Sequence, residues 1–146
     1  MVKIHTRVTH KRPHLDEMVC EFELENFGEA VLPGISAAKL ELWGSKPKDF
    51  NRKEWESRGY FFFGRFGGEF DEHSDLASGS GRKEGECSAT LIGQRLGLLD
   101  NLGMMPIFDY ALRTDLKAGS QPFEFASLVT AMHSQHSDSP LVVIHW

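Results

Sequence analysis

The chain has 146 residues, 40% of them hydrophobic and 25% charged, and a net charge of −5 with histidines neutral. That length suits one domain, residues 1–146, around a single buried core. The acidic balance excludes the broad basic surface that duplex nucleic acid requires.

Residues 2–9 alternate, with Val2, Ile4, Thr6 and Val8 on one side and Lys3, His5 and Arg7 on the other. A period of two predicts a strand. Pro13 punctuates its exit. From His14 the period lengthens, because Leu15, Met18, Val19, Phe22 and Phe27 fall near helical spacing and Gly28 supplies a stop. Residues 29–36 hold Pro33 and Gly34 and read as a loop. Residues 39–43 alternate again and predict a second strand. Residues 44–58 are polar and read as a loop with one short helical turn over 53–56. Tyr60 to Phe63, bounded by Gly59 and Gly64, predicts a buried third strand. Residues 74–85 are rich in Ser and Gly and read as a mobile loop. Helical patterns follow over 88–98, 101–116 and 123–133, the last with Pro122 placed for a first turn. The order strand, helix, strand, strand, then helices predicts an α/β fold, with a small, at least partly parallel sheet flanked by helices. The apolar tail, Leu141 to Ile144 with Trp146, suits packing against the domain or contact in a homodimer.

Two cysteines, Cys20 and Cys87, are too few for a disulfide framework, so a reducing compartment is expected. The opening MVKIHTRVTH lacks the long apolar core of a signal peptide, and the longest apolar runs are too short to span a bilayer. The expectation is a cytoplasmic protein with no membrane partner.

Chemistry-bearing residues gather after the strands, where ligands bind in α/β sheets. The first group is Thr9, His10, His14, Asp16 and Glu17, at the end of the first strand and the start of the first helix. Imidazole and carboxylate together suit Mn, Mg, Fe or Zn. The second group is Asp71, Glu72 and His73, preceded by Gly67 and Gly68, which let the backbone turn sharply or approach a ligand. Asp71 and His73 suit ligation, and Glu72 suits ligation or a base. Asp115 sits late in a helix, where an acid opposes the helix dipole and calls for a compensating cation. Arg82, Lys83 and Arg113 are candidate phosphate contacts. Each group also has a plainer reading as solvated polar residues. His133 and His136 read as exposed histidines near a helix end, and Cys87 as a small buried residue at a helix start.

Taken together, three segments resemble the DHH phosphoesterase superfamily, and most of all its branch named for melanocyte-proliferating-gene proteins, the metal-dependent protein hydrolases. Thr9-His10-x-x-x-His14-x-Asp16-Glu17 resembles the first motif. Asp71-Glu72-His73 resembles the block that names the superfamily, with Glu72 in place of its middle histidine. Glu86 to Ile92, followed by Leu96-Gly97, resembles the helix after that block. Asp115 falls where a further acidic ligand belongs. The aspartate that usually precedes the block has no clear counterpart; Asp49 lies in that interval but in a polar stretch. The superfamily's second, substrate-binding domain is absent from the match.

The resemblance implies one or two divalent ions, Mn or Mg with Zn possible, and hydrolysis of phosphoester or phosphoanhydride bonds. His10, His14, Asp16, Asp71 and Asp115 would be metal ligands. His73, Glu72 and Arg113 would be catalytic, and Lys83 and Arg82 would hold substrate phosphate. The expected partner is a phosphorylated small molecule such as a nucleotide, or a short single-stranded nucleic acid. Three other readings stay open: a non-catalytic metal- or nucleotide-binding module of the same fold, an interaction protein whose charged clusters are solvated loops, and metal-assisted hydrolysis of a non-phosphate bond by the same ligand set.

Overall fold

The computed structural model of the chain describes residues 2–73, 83, 85–116 and 124–137. Its elements are β1 (Thr6–His10), α1 (Leu15–Phe27), β2 (Lys39–Trp43), α2 (Arg52–Ser57), β3 (Tyr60–Phe62), α3 (Ser88–Leu96), α4 (Met105–Leu116) and α5 (Phe125–Gln135). The strands form one sheet in the order β2-β1-β3, with both pairings parallel. The fold is therefore α/β, with a small parallel sheet between helices. Among the described residues no helix is long and apolar enough to cross a membrane.

β1 is the central strand, and all five of its residues are buried. It starts at Thr6 rather than Val2 because its neighbours start there: Thr6 lies opposite both Lys39 and Tyr60. Upstream, the backbone is held by single bonds instead, from Ile4 N to the Pro33 carbonyl and from His5 N to the Gly59 carbonyl. α4 likewise begins at Met105 rather than 101. Asn101 Oδ1 accepts from Gly103 N and Met104 N in a side-chain turn, and Pro106 then suits the first helical turn. α5 runs to Gln135, two residues beyond the expected end. Most of the loop expected over 74–85, the start expected at Phe123, and the apolar tail lie outside the described residues.

Each sheet face has its own core. On one face α1, α3 and α4 pack Val19, Leu24, Ile92 and Phe108 against Phe61 and Phe63. On the other, Val8, Phe62 and Phe66 meet Trp43, Phe50, Trp55 and Tyr60, six of them rings at close, mostly edge-to-face, spacing. Alternation in β1 thus does not separate core from solvent. The Arg7 side is covered by α1, which supplies carboxylates to meet it: Arg7 Nη2 lies 2.9 Å from Glu25 Oε1 and 3.4 Å from Glu21 Oε2.

α1 buries more acid than pairing accounts for. Glu23 is 0% exposed, and neither carboxylate oxygen has a hydrogen-bond partner among the described residues. α3 crosses it closely at Gly93, where a Cβ would stand 2.6 Å from Phe108 Cζ and 3.0 Å from Glu23 Oε1. Burial, reinforced by the Asp16 charge, pushes the Glu23 carboxyl from 4.5 up to about 9. The folded chain therefore keeps a proton there that the unfolded chain releases. Stability from this group is complete below about 4.5 and is lost as pH rises toward 9. Glu23→Gln keeps the shape and removes the titration. Its melting temperature is expected to exceed wild type by several degrees at pH 8, and the gap is expected to close by pH 5 in thermal scans.

Candidate metal and phosphate site

The site lies at the carboxyl edge of the sheet, where β1 hands over to α1. His14 is the residue before α1, and its backbone N–H donates to Glu17 Oε2 at 2.7 Å. Glu17 is therefore the third helical residue turned back on its own cap, which satisfies an otherwise orphaned amide. Its other oxygen stands 3.0 Å from His10 Nε2. Gly64, just past β3, makes room: its φ is +70°, and a Cβ there would come within 2.6 Å of Glu17 Cγ. The His10 and His14 rings meet edge to face, with centroids 5.1 Å apart.

Asp16 points the other way, toward α3. Its Oδ2 accepts from Ser88 N at 3.0 Å and its Oδ1 from Ala89 N at 2.9 Å. A buried carboxylate from α1 thus caps the N-terminus of α3, where a negative charge also gains from the helix dipole. Ser88 extends the network, donating its hydroxyl to the Phe70 carbonyl and to Glu72 Oε2 at 2.6 Å. Glu72 Oε1 lies 2.9 Å from His73 Nδ1. Glu72 is fully buried, whereas the His73 side chain is 62% exposed. With Nδ1 engaged by Glu72, His73 Nε2 has no hydrogen-bond partner among the described residues. Asp71 holds its own loop, accepting from Gly67 N at 2.6 Å and His73 N at 2.9 Å.

These residues form three donor groups, each with atoms within 4.8 Å of one another: His10, His14 and Glu17; Asp71, Glu72 and His73; and Asp16, Glu72 and Asp115. All five sequence-predicted ligands appear in them. The second and third groups share Glu72, and the first and third adjoin through consecutive Glu17 and Asp16. Glu17 belongs to the first group named from the sequence but stands outside the ligand set that the resemblance implies; its signal is an acid three residues after a helix cap. The electrostatics divides the consecutive acids. Burial first, and the Glu17 charge second, raise the Asp16 carboxyl. Burial also works to raise Glu17, but the His10 hydrogen bond and the His10 and His14 charges hold it below the ordinary range. Burial lowers the His14 pKa against the pull of Glu17, which favours the neutral imidazole that a metal requires.

The other predicted residues sit elsewhere. Lys83 Nζ donates to the Gly68 and Glu69 carbonyls and so fastens a loop. Arg113 pairs with Glu124 at 3.0 Å and lies over the Tyr110 ring, tying α4 to the start of α5. Arg82 lies outside the described residues. His133 is not the exposed histidine the sequence suggested. It is 5% exposed, with Nε2 2.6 Å from the Pro13 carbonyl, so α5 braces the turn between His10 and His14. Cys87 is buried at the start of α3, and burial and the nearby Asp16 charge push its thiol up, against a nucleophilic role.

The chain matches no family model, and it has no significant match to a curated protein or a solved structure.

Asp16→Ala would strand two buried amides of α3. It is expected to cost about 1–3 kcal/mol of stability, read as a lower melting temperature in metal-free buffer. An unchanged melting temperature would remove Asp16 as the cap of α3.

Proposed function

We propose that this chain is a metal-dependent hydrolase of phosphoester or phosphoanhydride bonds in a nucleotide or short oligonucleotide. The observation that carries this reading is the convergence of three distant segments on one edge of the sheet: Asp16 from α1, Glu72 from the loop after β3 and Asp115 from α4 present carboxylate oxygens within 4.8 Å. Acids brought together that closely repel unless protonated or neutralised by a cation. The likeness of the same segments to DHH phosphoesterase motifs supports the reading independently.

The donor chemistry fits a hard or borderline divalent ion. It is carboxylate and imidazole without thiolate, which suits Mn or Mg and admits Zn. His10, His14 and Glu17 would form one position, and Asp16, Glu72 and Asp115 a second, with Asp71 and His73 beside it through the shared Glu72. A bound divalent ion supplies a more acidic water and neutralises charge developing on phosphoryl oxygens. The chain's own residues do the rest. Glu72 orients His73 through Nδ1, so that Nε2 can take or return a proton at the solvent-facing rim. Glu17 holds His10, and His133 holds the turn that carries His14. The two free thiols fit the cytoplasmic placement included in this proposal.

His14 is exposed, so its truncation should spare the fold. Calorimetric titration of untagged, metal-free protein with Mn is expected to give saturable binding, weakened roughly tenfold or more by His14→Ala with little change in melting temperature. Mn-dependent cleavage of a generic phosphodiester or diphosphate should fall in parallel. Absence of Mn, Mg and Zn binding would overturn the proposal. Metal binding without turnover on any phosphorylated substrate would leave a binding module.

A further inference from the structure

A second feature lies beside the donor groups and, apart from His10, on residues for which neither the motifs nor the helix pattern gave a role. A cavity of about 310 Å³ is lined by His10, Lys11, Arg12, Gly44 and Arg65. Its walls come from the carboxyl ends of all three strands: residues 10–12 at β1, Gly44 after β2, and Arg65 after β3. That is where parallel α/β sheets bind ligands. Among the described residues no carboxylate lines it. In a chain of net charge −5, three cations converge on one opening.

They are also unspent. Arg7, Lys39, Arg52, Arg58 and Arg113 each meet a carboxylate, whereas Lys11, Arg12 and Arg65 make no ion pair among the described residues. Cations facing one cavity repel one another, and an anion between them removes that cost. The loop is held to this shape at some expense. Phe66, the residue after Arg65, has φ +77°, which a bulky side chain rarely adopts. Its ring is buried against Trp43, Phe50 and Phe62, and that packing fixes where the chain carrying Arg65 leaves the sheet.

We propose that this cavity is an anion subsite for a diphosphate group, gripped by Lys11, Arg12 and Arg65 and placed against the metal-binding cluster through His10. The placement rests on the hydrolase reading; the anion site itself rests only on the cavity. Charge selects the ligand class. Three cations match the two to three negative charges of a diphosphate, and exceed the single charge of a phosphodiester linkage. Two of them are guanidinium forks suited to bidentate phosphate contact. The preferred substrates are then phosphoanhydrides of the nucleoside diphosphate type rather than oligonucleotides.

The test is calorimetric titration of the metal-free full chain with inorganic pyrophosphate, inorganic phosphate and a dinucleoside monophosphate. Pyrophosphate is expected to bind tightest, and its affinity to fall steeply with added salt. Arg12→Gln with Arg65→Gln is expected to weaken it roughly tenfold or more, with melting temperature and Mn affinity unchanged, while Lys39→Gln at the amino end of β2, on the opposite edge of the sheet, leaves it intact. No pyrophosphate binding, or binding indifferent to the double substitution, overturns the subsite. Tighter binding of the dinucleoside monophosphate overturns the diphosphate assignment. Loss of Mn binding with pyrophosphate binding retained would sink the hydrolase reading and leave the subsite standing.

Discussion

The structure depends on one carboxylate. Asp16 sits in the first turn of α1 and accepts the first two amides of α3, although 72 residues separate it from Ser88. Those bonds are buried, so neither amide has water as a substitute partner, and the two helix starts are fixed together. Ser88, positioned this way, reaches Glu72, and Glu72 reaches His73. A single capping interaction thus sets the relative position of two chemical clusters. It also explains why an acid is held where burial opposes its ionisation: the amides and the dipole of α3 offset part of the desolvation.

The central strand imposes the second constraint. β1 has a sheet neighbour on each side and a packed core on each face, so every one of its side chains is enclosed. Arg7 is tolerated only because α1 brings Glu21 and Glu25 to it. His10, at the strand's end, is the first residue able to present a side chain to the opening above the sheet. The chemistry begins there because that is where enclosure stops. The aromatic layer on the far face supports the same edge, since Trp43, opposite His10 in the register, packs on Phe62 and Phe66.

Much of the element order was legible because it rests on local pattern. The period of two in residues 39–43, the aromatic run at Tyr60 and the helical spacing from Leu15 each reflect one chain segment facing one core. The alternation over 2–9 overruns the start of the strand because strand limits are set by neighbours, and β2 and β3 start opposite Thr6. The donor residues were legible as types, since imidazole and carboxylate after a strand invite a ligand. Roles that depend on what lies across the site were not. Lys83 and Arg113 carry the right charge but meet backbone carbonyls and Glu124. Glu17 looked like an ordinary first-turn acid until Gly64 left it a path to His10. His133 has the pattern of a solvated helix-end histidine, yet α5 closes on Pro13 and buries it.

Propensity, periodicity and side-chain chemistry are local properties, so the order of elements, the class of fold and the inventory of groups able to bind a cation follow from the chain alone. How those groups divide depends on what folding brings across the site: Asp16 caps α3, Glu72 orients His73, and Lys11, Arg12 and Arg65 line one cavity with no carboxylate among the described residues. The reason is geometric. The cavity is built from the ends of three strands, and strands paired in parallel are joined by long crossovers, so ends that meet in space lie far apart in the chain.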